Sequence, residues 1–172
     1  DPRLGRFRER FAGTLGYFER RATIEPGVPP FDGAAEIIDG HELFERVRRN
    51  PSNRLDVPAF LTARLFDYFI GDWDRHQGQF TFVRHPSDTG ATVTWTVVPE
   101  DRDQAFIRFD GLILWLVRQY APHLLNFGAE LPRAGAFAYP GRALDRWFLV
   151  ELEWPTWDSV VTALVEHLSD SV

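Results

Sequence analysis

Apolar residues recur at helical spacing along much of the chain, and one region alternates instead. In His41-Glu-Leu-Phe-Glu-Arg-Val-Arg-Arg49, Leu43, Phe44 and Val47 share a face, which predicts an amphipathic helix after Asp39 as N-cap, ending near Asn50-Pro51. A second helix is expected from Asp56 as N-cap, with Pro58 in its first turn, where a missing N–H costs little. Phe60, Leu61, Leu65, Phe66, Phe69 and Ile70 form its core face, and it hands the chain to the polar stretch Gly71 to Gln79. Phe80 to His85, the turn Pro86 to Gly90, and Ala91 to Val98 read as a β-hairpin, with Val93, Trp95 and Val97 alternating against Thr92, Thr94 and Thr96.

Gly111 to Tyr120 is apolar nearly all round, which suits a buried helix. Residues 121–141 hold three prolines and three glycines and read as an irregular connection; Ala143 to Leu152 and Thr156 to Leu168 are two closing helices separated by Trp154-Pro155. Toward the N-terminus, residues 1–10 are a charged connector. Phe11 to Arg21 fits a strand better than a helix, because Gly13 and Gly16 weaken a helix interior. Ile24 to Gly33, with Pro26, Pro29 and Pro30, is loop. The expected fold is α+β: mainly helical, with a central hairpin and an N-terminal strand, in one domain over residues 1–172 whose first 33 residues serve as hinge and connector.

Composition narrows the function classes. With 44% apolar and 15% aromatic residues a core is assured, and a net charge of −6 opposes nucleic-acid binding, which needs a basic face. All nineteen basic residues are Arg; there is no Lys and no Cys, so neither a disulfide framework nor a thiolate metal site exists. No apolar run reaches the length of a transmembrane segment. The chain has no Met, which leads to the expectation that it is the C-terminal lobe of something longer.

Two polar knots stand out against these apolar surroundings: Gly71-Asp-Trp-Asp-Arg-His-Gln-Gly-Gln79 and Pro99-Glu-Asp-Arg-Asp-Gln-Ala-Phe106. Antiparallel strands joined by a short turn bring their far ends together, so Gln79 should lie beside Val98 and Asp74 close to Asp101. One carboxylate to orient a hydroxyl, an amide five positions on, and a second carboxylate across the hairpin are what phosphoryl transfer asks of a protein: a nucleophile-orienting group, and ligands that hold Mg²⁺ against phosphate oxygens.

On these residues the chain resembles the catalytic lobe of atypical kinases: the spore-coat CotH kinases, the Golgi secretory-pathway kinases and, more distantly, HipA-like and phosphoinositide kinases. Asp74-Arg75-His76 with Gln79 is similar to the catalytic loop, Gln standing where protein kinases have Asn, and Pro99-Glu-Asp-Arg-Asp103 is similar to the magnesium-binding Pro-Trp-Asp-x-Asp element of the CotH group. Ala63 to Gln79, with Asp101-Arg-Asp-Gln-Ala-Phe106 and Phe109-Asp-Gly111, also resembles an uncharacterised bacterial family found beside phosphoesterase or outer-membrane surface-antigen domains. The likeness implies ATP and Mg²⁺ (or Mn²⁺) as cofactors and a hydroxyl acceptor on protein or small molecule. It implies Asp74 as catalytic base or hydroxyl-orienting residue, Arg75 and His76 as charge-balancing members of the catalytic loop, and Gln79 as a magnesium or phosphate-side ligand. Asp101 becomes the principal metal ligand and Asp103 its understudy, with Glu19, after Tyr17-Phe18, in an adenine-facing hinge. The family resemblance alone suggests a bacterial cell envelope or periplasm.

The chain departs from the kinase pattern in lacking the strand lysine and glycine-rich loop that cover the nucleotide. Hence an N-lobe upstream, or a neighbouring domain, is an expected partner. Competing readings remain open. Asp72, Asp74, Asp101 and Asp103 serve equally as caps, turn residues and ion-pair partners of Arg75 and Arg102, and Glu19 as an exposed strand-end residue. A kinase-like lobe kept as a non-catalytic scaffold is the second hypothesis. A hydrolase carboxylate pair is the third and weakest, since adjacent arginines lower the carboxyl pKa values that such a pair needs raised.

Overall fold

Phe80, Phe82, Trp95 and Val97, alternate residues of the expected hairpin, all enter one core, together with Leu43, Phe60, Ala63 and Leu144. A computed structural model describes residues 2–12, 19, 21–86, 91–108, 111–121, 124, 126–130 and 134–169. Its elements in order are α1 (Arg8–Phe11), β1 (Glu36–Asp39), α2 (Gly40–Arg49), β2 (Asn53–Leu55), α3 (Val57–Ile70), β3 (Phe80–Arg84), β4 (Val93–Pro99), α4 (Leu112–Tyr120), α5 (Ala134–Phe137), α6 (Arg142–Phe148) and α7 (Trp154–Ser169). The class is α+β.

Both helix starts follow from the sequence. The Asp39 carboxylate accepts the Glu42 N–H at 2.8 Å to start α2, and Asp56 accepts the Ala59 N–H at 3.0 Å to start α3. Gly71 ends α3 in the left-handed region at φ 70°, a conformation glycine adopts without the Cβ penalty, and so turns the chain into the polar loop.

The sheet is larger than the hairpin. Its order is β1-β3-β4-β2: β1 and β4 pair antiparallel with β3, and β2 pairs parallel with β4. The edge strands escape a sequence reading because four and three residues are too few for alternation to show. The pairing of Phe80 with Pro99 sets the register, so Gln79 faces Glu100 rather than Val98.

Helices α2, α3 and α6 cover one face through the main core cluster. The other face carries a smaller cluster of Ala22, Ala34 and Val83. Each fully buried Phe or Leu stabilises by roughly 1.5–3 kcal/mol. The first face, with Leu43, Phe60, Phe82 and Leu144 completely enclosed, therefore holds the domain together.

Three expectations change. Helix α4 forms where expected but is not buried: Leu112, Ile113 and Tyr120 are 74%, 76% and 91% exposed. Apolar composition predicts that a surface seeks cover without saying what covers it, and no described element packs over this one. Phe69, assigned to the core face of α3, is likewise exposed, whereas Arg64 and Asp67 are buried on that helix. Trp154-Pro155, read as a separator, begins α7 instead, Pro being tolerated in a first helical turn. The strand expected over Phe11 to Arg21 falls mostly on residues 13–18 and 20, outside the described ones, while Phe11 itself closes α1. Among the described residues no helix is long and apolar enough to cross a membrane.

Candidate functional site

The two polar loops are laced together by Arg75, which is fully buried. Its Nη1 donates to the carbonyls of Glu100 and Asp101 at 2.6 and 3.3 Å, and its Nη2 donates to the Gln79 carbonyl at 3.1 Å. The guanidinium also lies over the Phe80 ring at 4.5 Å. Backbone contacts complete the lacing: Glu100 N–H donates to Gln79 O, and Phe106 N–H donates to Ile70 O, each at 2.9 Å. One side chain thus fixes the end of β4 to the start of β3, and its planar fork suits this better than an ammonium would.

Beneath this clamp lies a balanced charge network. Asp67, fully buried, faces three guanidiniums: Arg64 Nη1 and Arg102 Nη2 each donate to it at 3.2 Å, and Arg75 Nε lies 3.2 Å away as an ion pair without hydrogen-bond geometry. Arg64 reaches Asp145 on α6 in bidentate fashion at 2.7 and 3.0 Å. Asp72 adds a third carboxylate, 3.4 Å from Arg75 Nη1. Three guanidiniums and three carboxylates therefore balance in charge, although neither Asp72 oxygen nor Arg75 Nε is in hydrogen-bond geometry with a partner among the described residues. Sequence reading missed Arg64, Asp67 and Asp145. A signal existed: Arg64 and Asp67 are the only charged residues of α3, and they fall on the buried 60, 63, 64, 67, 70 series.

Burial pushes the Asp72 carboxyl up to about 6; Arg75 opposes the rise, Asp67 adds to it, and Arg102 and the Asp74 amide oppose it. A carboxyl with a folded value above its unfolded value of about 3.9 binds its proton more tightly when folded. Its contribution to stability is therefore full below about pH 4 and is lost as pH rises through about 6. Asp72→Asn should remove about 2–3 kcal/mol of the fall in stability between pH 4 and 7.5. Urea denaturation at both pH values checks this; an unchanged difference would contradict it.

The remaining candidates separate clearly. The Gln79 amide meets the Asp101 carboxylate, Nε2 to Oδ2 at 3.3 Å, and the His76 ring, Nε2 to Nε2 at 3.4 Å. Glu19, half-buried rather than exposed, accepts the Asp101 N–H through Oε1 at 2.7 Å. Asp101 itself has φ 57°, a left-handed conformation that Asp tolerates better than most residues and that concentrates at functional sites. Glu19, His76, Gln79 and Asp101 are thus brought together. Asp74 is half-buried on the same loop, and among the described residues its carboxylate makes no hydrogen bond or ion pair. Asp103 is exposed on the following turn and joins no contact with the group.

Whether these residues suit a hard cation turns on Gln79. Its NH2 faces Asp101, while the Gly78 N–H donates to His76 Nδ1 at 3.0 Å. In the neutral ring the proton is then on Nε2. A half-turn of the amide would direct Oε1 toward that Nε2–H and, with Asp101 Oδ2, offer two oxygen donors side by side. Mg²⁺ commonly takes one or two protein oxygens and completes its shell with water and phosphate, so the donor set fits. Among the described residues no three His, Asp or Glu side chains form a metal-binding group of their own. No family model, curated protein or solved structure matches the chain.

Proposed function

We propose that residues 71–79 and 99–106 form the metal and acceptor side of a phosphoryl-transfer cleft in an atypical kinase-like catalytic lobe. The observation that carries this reading is the meeting of Gln79 and Asp101, 3.3 Å apart across the base of the hairpin, with Asp74 five positions earlier on the loop. In this reading Asp74 accepts a hydrogen bond from the acceptor hydroxyl and orients its oxygen toward the γ-phosphate of ATP. Asp101 and Gln79 hold Mg²⁺ or Mn²⁺, with Asp103 in reserve. When bound, the ion supplies positive charge against the phosphate oxygens. His76 orients the Gln79 amide, Arg75 keeps the two loops in register, and Glu19 fixes the Asp101 backbone on the nucleotide side. Most of the gain is positioning, as expected for a reaction that needs little covalent help from the protein.

The reading requires the nucleotide to be covered by another lobe or a neighbouring domain, since no lysine is present to pair with its phosphates. That same lack, and the absence of a three-residue metal-binding group among the described residues, favour a second reading: a kinase-like module kept for binding, in a bacterial cell-envelope protein. Incubating the full gene product with ATP and Mg²⁺ or Mn²⁺ separates the two. The first reading expects a rise in Tm and label transfer from γ-labelled ATP to a hydroxyl acceptor. No Tm shift with either metal would overturn it in favour of the second.

A further inference from the structure

We propose that the groove between the Asp74 loop and α6 binds a dianionic phosphate group carried by the acceptor, so that the acceptor is a phosphorylated hydroxyl compound. This rests on the phosphoryl-transfer reading for the acceptor and on the groove's own chemistry for the phosphate. The groove encloses about 520 Å³, within the usual range for a small-molecule site. One wall is His76 and Gln77, the second and third residues after Asp74. The other is Arg142, Arg146 and Trp147 of α6. The two walls are in direct apposition, because a Cβ on Gly141, the residue leading into α6, would sit 2.9 Å from the Arg75 carbonyl.

The lining holds two guanidiniums, an imidazole and an amide, and among the described residues no carboxylate. Asp145, which lies between the two arginines in sequence, is turned away and bound in bidentate fashion by Arg64 at 2.7 and 3.0 Å. Arg142 and Arg146 are therefore a like-charge pair four residues apart, an arrangement that destabilises a helix unless something neutralises it. Neither makes an ion pair among the described residues. Arg142 is held in place, its Nη1 donating to the Tyr139 carbonyl at 2.7 Å and its guanidinium stacked on the Tyr139 ring at 3.8 Å. The rest of its fork stays available. Two guanidiniums, one of them held in place, with the Gln77 amide as a further donor beside them suit a phosphate dianion better than a carboxylate, and the groove adjoins the loop that orients the hydroxyl.

The test is titration of the full gene product with inorganic phosphate, with acetate and with glycerol 3-phosphate, following Trp147 by indole NMR. Saturable binding is expected for both phosphates and not for acetate. Arg146→Gln should weaken it by about tenfold, and Arg142→Gln with Arg146→Gln should abolish it. Both side chains are exposed, so an unchanged Tm separates loss of binding from loss of fold. Equal response to acetate, or full phosphate binding by the double variant, would overturn the inference. Binding of inorganic phosphate with exclusion of glycerol 3-phosphate would overturn the acceptor assignment. A parallel ATP and Mg²⁺ titration keeps the two levels apart. Loss of nucleotide binding with the phosphate response intact refutes the phosphoryl-transfer reading and leaves an anion site, whereas the reverse pattern refutes the groove assignment alone.

Discussion

Asp74→Asn in the full gene product is expected to lower phosphoryl transfer by about 10²- to 10⁴-fold, the range that a positioned base contributes, while leaving ATP affinity within about twofold. The asymmetry follows from place. Asp74 is half-buried, on what the phosphoryl-transfer reading makes the acceptor side, and pairs with no cation among the described residues, so exchanging its carboxylate for an amide removes a proton acceptor and little else. Arg75 and the clamp on Gln79, Glu100 and Asp101 do not depend on it. Single-turnover transfer from labelled ATP, measured beside equilibrium nucleotide binding, distinguishes this from general damage. Unchanged transfer would remove Asp74 from the mechanism.

Asp67→Ala is expected to have the largest effect on stability. It strips the shared carboxylate from Arg64, Arg75 and Arg102 and leaves two of these guanidiniums enclosed without it. Breaking a buried ion pair by removing one partner costs about 3–5 kcal/mol, because the surviving charge stays desolvated. That is a large share of the stability of a domain of this size, typically about 5–15 kcal/mol. Urea denaturation should show either a midpoint lowered accordingly or no cooperative transition. By contrast, removing the solvated pair of Arg48 and Glu45, which meet at 2.9 Å on α2, should leave stability nearly unchanged. If Asp67→Ala cost as little as that, the network would not hold the loops.

What was legible in the sequence was whatever local chemistry decides. Asp39 and Asp56 cap as their types and positions demand, and Gly71 stops α3. The alternation of Val93, Trp95 and Val97 puts Trp95 in the core. The hairpin topology then implied that the Gln79 and Val98 ends meet; they do with a shifted register, so that Gln79 faces Glu100 and its amide reaches Asp101. What stayed hidden depends on long-range partners. Glu36 to Asp39 is a strand only because Thr81 to Arg84 offers it an edge, and Arg64 and Asp145 meet across 81 residues of sequence. The exposed face of α4 is hidden in the same way, since an apolar stripe does not name its cover. Within the site, Arg75 was legible as a charge-balancing loop residue. Its grip on three carbonyls was not, because only the fold brings Gln79, Glu100 and Asp101 around it.

The pairing of Gln79 with Asp101 as a metal-holding edge of a nucleotide cleft is tested most directly by ATP binding with and without Mg²⁺ or Mn²⁺, in the full gene product and in its Asp101→Ala variant. The expected result is saturable nucleotide binding that needs the metal and disappears in Asp101→Ala, with the fold intact by circular dichroism. Nucleotide binding that is indifferent to metal, or that persists unchanged in Asp101→Ala, would contradict it.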